Sequence, residues 1–359
     1  MRDRVRKAAA PALALLAVAG LALAAAQRGG EKKRPPREWP ELAGYEEMRI
    51  PADNPMTPAK VKLGKQLFYD ARLSGDQSRS CYSCHLREHG LTDGRPTAIG
   101  AYAVQLTRSS PTLWNVGYHS EFYWDGRSGS LEAQAKAAWA GGNMGASGKD
   151  GKPSLEDVCK RLDKMKAYRQ QFQEVFGGTC TPDNVAKALA AFERTLVSDD
   201  SPWTRFRAGD QKALSAEARR GYGLFKGKAR CENCHSGLLL TDLQYHNLGI
   251  GLKAKKKEKD KEPDWGRFNV TKQERDKGAF KTPTLLDIAQ SAPYFHDGSV
   301  ATLDEAVDLM LAGGYDNPWL DTANLRPPVK LTKQERADLV QFLRELGVKY
   351  DVKEPELPR

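Results

Sequence analysis

In TPDNVAKALAAFERTL, residues 181–196, the apolar residues Val185, Leu189, Phe192 and Leu196 recur three or four positions apart. That spacing puts them on one face of a helix. Thr181 offers an N-cap and Pro182 suits the first helical position, where a missing N–H costs nothing. Thr57-Pro58 repeats that start ahead of AKVKLGKQLFYD, and LTKQERADLVQFLREL carries a capping box from Thr332 to Glu335. Its apolar residues, Leu339, Phe342, Leu343 and Leu346, again fit a helical period. Strand-like alternation is scarce, and Gly and Pro punctuate long intervals between the helical stretches. The pattern predicts a mainly α protein whose small helical domains, linked by long loops, need something to pack around.

The first 30 residues follow another pattern. Arg2, Arg4, Arg6 and Lys7 precede an apolar run from Ala8 to Ala26, which ends in three alanines. A basic start, an apolar centre and small residues at the end predict a cleaved export signal, residues 1–26, and a periplasmic product. An uncleaved anchor competes, although the run is short and Ala-rich for one. Cleavage would lower the formal charge from +10 to +7. That moderate, dispersed excess carries no aromatic-basic groove, so nucleic-acid binding is not expected. Docking to an acidic protein surface stays open.

The chain also repeats itself once. PTLWNVGYHSEFYWDGRSGSLEAQA from Pro111 aligns without a gap on PTLLDIAQSAPYFHDGSVATLDEAV from Pro283. Asp125-Gly126 falls on Asp297-Gly298, and GKQLF (64–68) answers GYGLF (221–225). CYSCH (81–85) and CENCH (231–235) follow these, each trailed by Leu-Thr-Asp. Spacing from the first cysteine to the proline is 30 residues in one copy and 52 in the other. The excess includes KAKKKEKDKEP (253–263), which reads as a solvated loop, with partner docking as the alternative.

Two thiols three apart with a histidine behind them admit a disulfide, a zinc site or a thioredoxin-like pair. Zinc needs more ligands than either copy supplies, and thioredoxin chemistry needs a βαβ setting that is missing. CxxCH is the attachment signature of c-type haem. On a helix, Cys81 and Cys84 would project from one face, with His85 completing the turn. Two such motifs in matching copies predict two covalent haem c groups, bound by Cys81, Cys84, His85 and by Cys231, Cys234, His235.

With SSPTLWN, YWDGRSGSLEAQA, APYFHDGS and the closing LTKQERADLVQFL, these motifs resemble the bacterial di-haem cytochrome c peroxidases and their relative MauG over roughly residues 45–350. The resemblance implies two tandem cytochrome c-like helical domains, here residues 45–200 and 205–350, with one haem in each and a calcium ion between them. The C-terminal haem would receive electrons and the N-terminal haem would react with hydrogen peroxide. Met310, 14 residues beyond His296 of PYFH, stands where the peroxidases have a methionine ligand and the MauG branch a tyrosine. The repeat places Ala138 opposite it, so the first copy has no counterpart ligand.

Other matches are partial. Where the peroxidases carry a histidine that caps the resting first iron, AIGAY has Ala101, and His119 is the nearest substitute in sequence. Where they carry a distal glutamate, GGNMG has Asn143, an amide that can hold peroxide but not shuttle its proton. Gln134 matches the family's distal glutamine, and Trp124 the tryptophan between the haems, as an electron relay or as packing. Asp125 and Arg127 of the same WDGR are expected to fix the turn. Calcium would draw on Ser109, in an asparagine position, and on backbone near Ser291 and Pro293. Cys159 and Cys180 bracket a helical stretch, and a disulfide between them is expected in an oxidising compartment.

Three functions follow from the resemblance. One is a peroxidase fed by a small cytochrome c or cupredoxin; another is a MauG-like oxidase of a partner protein. The third is a pure electron carrier. The partners expected are hydrogen peroxide and the donor protein, with a homodimer as the candidate assembly.

Overall fold

Helices begin where the sequence supplies caps. Thr57 accepts from the Lys60 N–H at the start of α1 (Pro58–Tyr69), and Thr181 from that of Asn184 at the start of α5 (Pro182–Glu193). The capping box of Thr332 and Glu335 opens α11 (Lys333–Arg344), as its sequence predicts. Between these lie α2 (Leu131–Ala140), α3 (Leu155–Asp163), α4 (Lys166–Phe176), α6 (Pro202–Arg207), α7 (Ala216–Lys226), α8 (Phe268–Thr271), α9 (Leu303–Ala312) and α10 (Thr322–Leu325). The computed structural model describes residues 39–252, 262–350 and 353–359. The expected export signal and most of the Lys-rich segment lie outside the described residues.

The internal repeat is a repeat in space. α1 crosses α5 and α7 crosses α11, each at a glycine. A Cβ on Gly64 would lie 1.9 Å from the Ala188 carbonyl oxygen, and one on Gly221 would lie 2.0 Å from that of Asp338. Phe192 and Phe342 follow at the same place in each crossing. The shared glycine of GKQLF and GYGLF thus lets two backbones touch. α2 and α9 begin at equivalent serine and threonine caps, Ser130 and Thr302.

Turns repeat as closely as helices. Asn115 and Asp287 are both left-handed, at φ of 58° and 56°, and their N–H groups donate to Leu196 and Leu346. Asn115 Oδ1 accepts the Ser198 N–H, and Asp287 Oδ1 accepts that of Val348. Asp287 does more: its other oxygen accepts from Trp114 Nε1 at 2.8 Å and from Arg87 at 3.0 Å. One buried carboxylate of the second repeat therefore gathers donors from the first. Trp114, Trp139, Tyr168 and Phe172 of the first repeat share one buried core with Trp203, Phe225 and Phe342.

Three local expectations change. Each CxxCH lies on a 3-10 turn, Tyr82–Cys84 and Cys231–Asn233, rather than on an α-helix. Residues i and i+3 eclipse in that geometry, so the cysteines still share a side. A short antiparallel pair, β1 (Tyr245–Asn247) and β2 (Ala279–Lys281), joins two loops of the second repeat. Cys159 and Cys180 meet as two buried thiols in hydrogen-bonding contact rather than as the expected disulfide, and that contact with burial pushes the Cys180 pKa up.

Candidate functional site

Each motif histidine is aimed from behind. His85 Nδ1 lies 3.0 Å from the Leu91 carbonyl and His235 Nδ1 lies 3.1 Å from that of Leu240. A carbonyl only accepts, so Nδ1 carries the proton and Nε2 keeps its lone pair for a metal. Burial lowers both pKa values, which favours that neutral form. Leu91 and Leu240 turn their carbonyls this way through left-handed backbone, at φ of 61° and 52°. Thr112 Oγ1 bonds the Gly90 carbonyl and Thr284 Oγ1 that of Leu239. The threonine of each PTL therefore locks the turn that orients each histidine.

A cavity of about 1390 Å³ opens in front of the first motif. Cys81, Cys84 and His85 line it, and so do Trp124, Gln134 and Asn143. Ala138 of α2 also lines it, at the place that Met310 takes on α9. Met310 is half-buried and does not line this cavity. Ala101 is buried in a 3-10 turn, its N–H donating to the Asn143 carbonyl. A Cβ on neighbouring Gly100 would lie 2.0 Å from the Gly142 oxygen, so the 97–108 loop is seated closely on the Asn143 segment.

The cavity suits a large, partly anionic ring. It carries two thiols at one place, a histidine with a free Nε2, apolar Leu131, Ala135 and Trp139, and two polar groups awaiting a partner. His119 Nε2 and Glu193 Oε2 are shielded from solvent and have no hydrogen-bond partner among the described residues. Burial and the nearby Lys281 push the His119 pKa down to about 3, leaving a neutral imidazole. Burial pushes Glu193 up to about 8, so its carboxyl is protonated at neutral pH. Neither Glu193 nor Lys281 stands out in the sequence, since a buried charge follows no periodic pattern.

Trp124 lies where the two repeats meet. Its Nε1 donates to the Ser109 carbonyl, its own carbonyl accepts the Lys281 N–H at 2.8 Å, and its ring stands edge-on to His296 with centroids 6.5 Å apart. Asp125 is paired with Arg108 and Arg127, which fixes the turn as expected. Ser109, Ser291 and Pro293 come together around a cavity of about 60 Å³, joined by Asp93. One Asp93 oxygen is buried without a partner, and burial raises this carboxyl's pKa. That donor set suits a hard cation, and sequence reasoning missed Asp93.

At the second motif, Cys234, Asp242 and His246 lie within 4.8 Å of one another. His246 is held by Asp242 at 3.0 Å and by Asp321 at 2.6 Å. Hydrogen bonds to Asp242 foremost, then to Cys234 and Asp321, raise its pKa to about 11. It is a protonated strut between β1 and the cap of α10, not a ligand with a free lone pair.

Comparison with known proteins agrees with this geometry. The family described as di-haem cytochrome c peroxidase matches residues 58–212. Cytochrome-c peroxidase IdrP1 of Denitromonas iodatirespirans is 39% identical over 96% of this chain and 95% of its own. Methylamine utilization protein MauG of Methylorubrum extorquens is 39% identical over 82% and 80%. A solved MauG-like protein associated with microbial copper homeostasis superposes with a TM-score of 0.75 at 32% identity, covering 88% of this chain and 96% of that one. The chain belongs to the di-haem cytochrome c peroxidase and MauG family of oxidoreductases.

Proposed function

We propose that the protein is a periplasmic di-haem peroxidase, reducing hydrogen peroxide with electrons from a small cytochrome c or cupredoxin. One observation carries this: a single cavity has Cys81, Cys84 and His85 at one side and Gln134 and Asn143 among its other lining residues. Residues 45–200 and 205–350 are the two haem-binding domains, each built on one glycine-centred helix crossing. Cys81 and Cys84, and Cys231 and Cys234, would form the thioethers; His85 and His235 would bind iron, with Met310 as sixth ligand to the second. Haem supplies the metal at which peroxide is reduced and the means of storing electrons.

The chain's own residues do the rest. Gln134 and Asn143, which line the cavity, would hydrogen-bond peroxide, and Asn143 cannot carry its proton. The protonated Glu193 and neutral His119 also line the cavity. Trp124 relays electrons between the two sites, its indole held by Ser109 and its backbone by Lys281. Ser109, Asp93, Ser291 and Pro293 would hold calcium beneath it.

A MauG-like oxidation of a partner protein is favoured by one feature. Ala101, seated on Asn143, carries no side-chain atom that could cap the first iron. The test is peroxide consumption by purified holoprotein given a reduced small cytochrome c or cupredoxin. Sustained turnover supports the peroxidase. Peroxide reaction without donor oxidation, accompanied by covalent change in a partner, supports the MauG-like function. Neither reaction with peroxide would leave the electron carrier.

A further inference from the structure

We propose that Lys281 is a positioning residue for the first haem, its ammonium holding a propionate while its backbone holds Trp124. This rests on the two-haem function above.

The argument starts from the charges around the cavity. Arg108, Arg127 and Lys281 are cations among its lining residues. Arg108 is paired with Asp125 and Asp264, and Arg127 with Asp125. Lys281 instead donates to a neutral carbonyl, that of Glu121, at 2.5 Å. The groups facing it are the His119 imidazole, the Phe122 ring and the carboxylates of Glu121 and Asp125. Glu121's carboxylate is taken by Arg267 at 2.9 Å and by the Tyr245 hydroxyl at 2.8 Å. Each nearby carboxylate is therefore claimed by a guanidinium. Among the described residues, Lys281 is left as a cation without a carboxylate of its own.

Haem chemistry supplies the missing anion. Thioether bonds to Cys81 and Cys84 would fix the vinyl groups, and the propionates leave a different edge of the ring. A propionate shut away from water needs a cation or several donors. Lys281 offers the cation, and the unpartnered His119 Nε2 beside it offers a second polar contact.

The same short segment reaches the second site. Lys281 N–H donates to the Trp124 carbonyl, and two residues on, the Pro283 carbonyl is a hydrogen-bond partner of His235. Its side chain and backbone thus touch the first cavity, the intervening tryptophan and the approach to the second histidine. A positive charge beside a haem favours the ferrous state, so losing it should lower the potential.

The test is a spectroelectrochemical titration of holoprotein between pH 6 and 10, with pyridine haemochrome first confirming two haems per chain. Fewer haems would refute the two-haem function, a failure separate from this one. Glu193 titrates in the same range and would add its own slope, so the series is made in a Glu193→Gln background. There the first haem's potential should fall as pH rises above 8, because burial places the Lys281 pKa at about 8 and a paired propionate raises it. Lys281→Met should lower that potential at pH 6 and remove the fall. Lys281→Arg should keep the pH 6 value and also remove the fall. A Lys281→Met protein with two haems, an unchanged potential and an unchanged pH profile overturns the proposal. If Lys281→Met does not fold, no fall between pH 8 and 10 with Lys281 in place, or a fall that survives Lys281→Arg, overturns it equally.

Discussion

Gly64 lies so close to Ala188 that a methyl group on it would sit 1.9 Å from the Ala188 carbonyl oxygen. The obstacle is backbone, so neither a rotamer change nor a small side-chain shift relieves it. Gly64→Ala should destabilise the protein by about 3 kcal/mol, as overpacking in a closed interface does. Gly221→Ala should do the same, since its methyl would meet Asp338 at 2.0 Å. Gly129, with nothing within 4 Å, is the control, and its alanine variant should stay within about 0.5 kcal/mol. Denaturant melts of the three variants check the ordering.

In the proposed peroxidase, Asn143, an amide that cannot shuttle a proton, would limit proton transfer in the cavity. Asn143→Glu should speed peroxide consumption by ~10²-fold, the lower end of what a placed acid-base group contributes. Asn143→Gln lengthens the side chain but adds no proton carrier, so it should bring no gain. A Gln variant as fast as the Glu variant would locate the effect in shape.

Met310 is half-buried on α9, with Ala138 in the equivalent place on α2. Met310→Ala should abolish the sulfur-to-iron band of the second haem and lower its potential. Absorption spectroscopy of the oxidised protein is the check. A retained band would name another ligand.

Glu193 gives the protein a pH dependence of defined sign. Its carboxyl ionises near 4.5 when unfolded and near 8 in the fold, because burial opposes the charge. The folded state therefore binds the extra proton between those values, and stability falls as pH rises through that window. Below it both states are protonated and nothing is lost. Glu193→Gln should melt several degrees higher than the native protein at pH 8.5 and nearly alike at pH 4.5, read by thermal melts.

Much of this was legible from residue order. Thr57, Thr181 and Thr332 announce their helices because a cap is a local device, complete within four residues. The two CxxCH motifs and the PTL repeat were legible for the same reason. What was hidden depends on contacts between distant segments. The shared glycine of GKQLF and GYGLF shows in the sequence, but not the carbonyls it meets more than a hundred residues on. Asp93 and Glu193 read as ordinary acids until burial removes their partners. The strands at Tyr245 and Ala279 are three residues each, too short for alternation to register. Cys159 and Cys180 were correctly paired in space, yet they meet as thiols.

Asp287 has a consequence for ancestry. Its counterpart, Asn115, satisfies its amide within its own repeat, through Ser198. Asp287 draws on Trp114 and Arg87 of the other repeat. A neutral amide can be content at home, whereas a buried carboxylate needs outside donors. If the second repeat were cut free, it would carry that charge inward with only the Val348 N–H to meet it. The duplication has passed a point of no return: two copies that once had the same turn now differ by one atom's charge, and through it one copy has become dependent on the other.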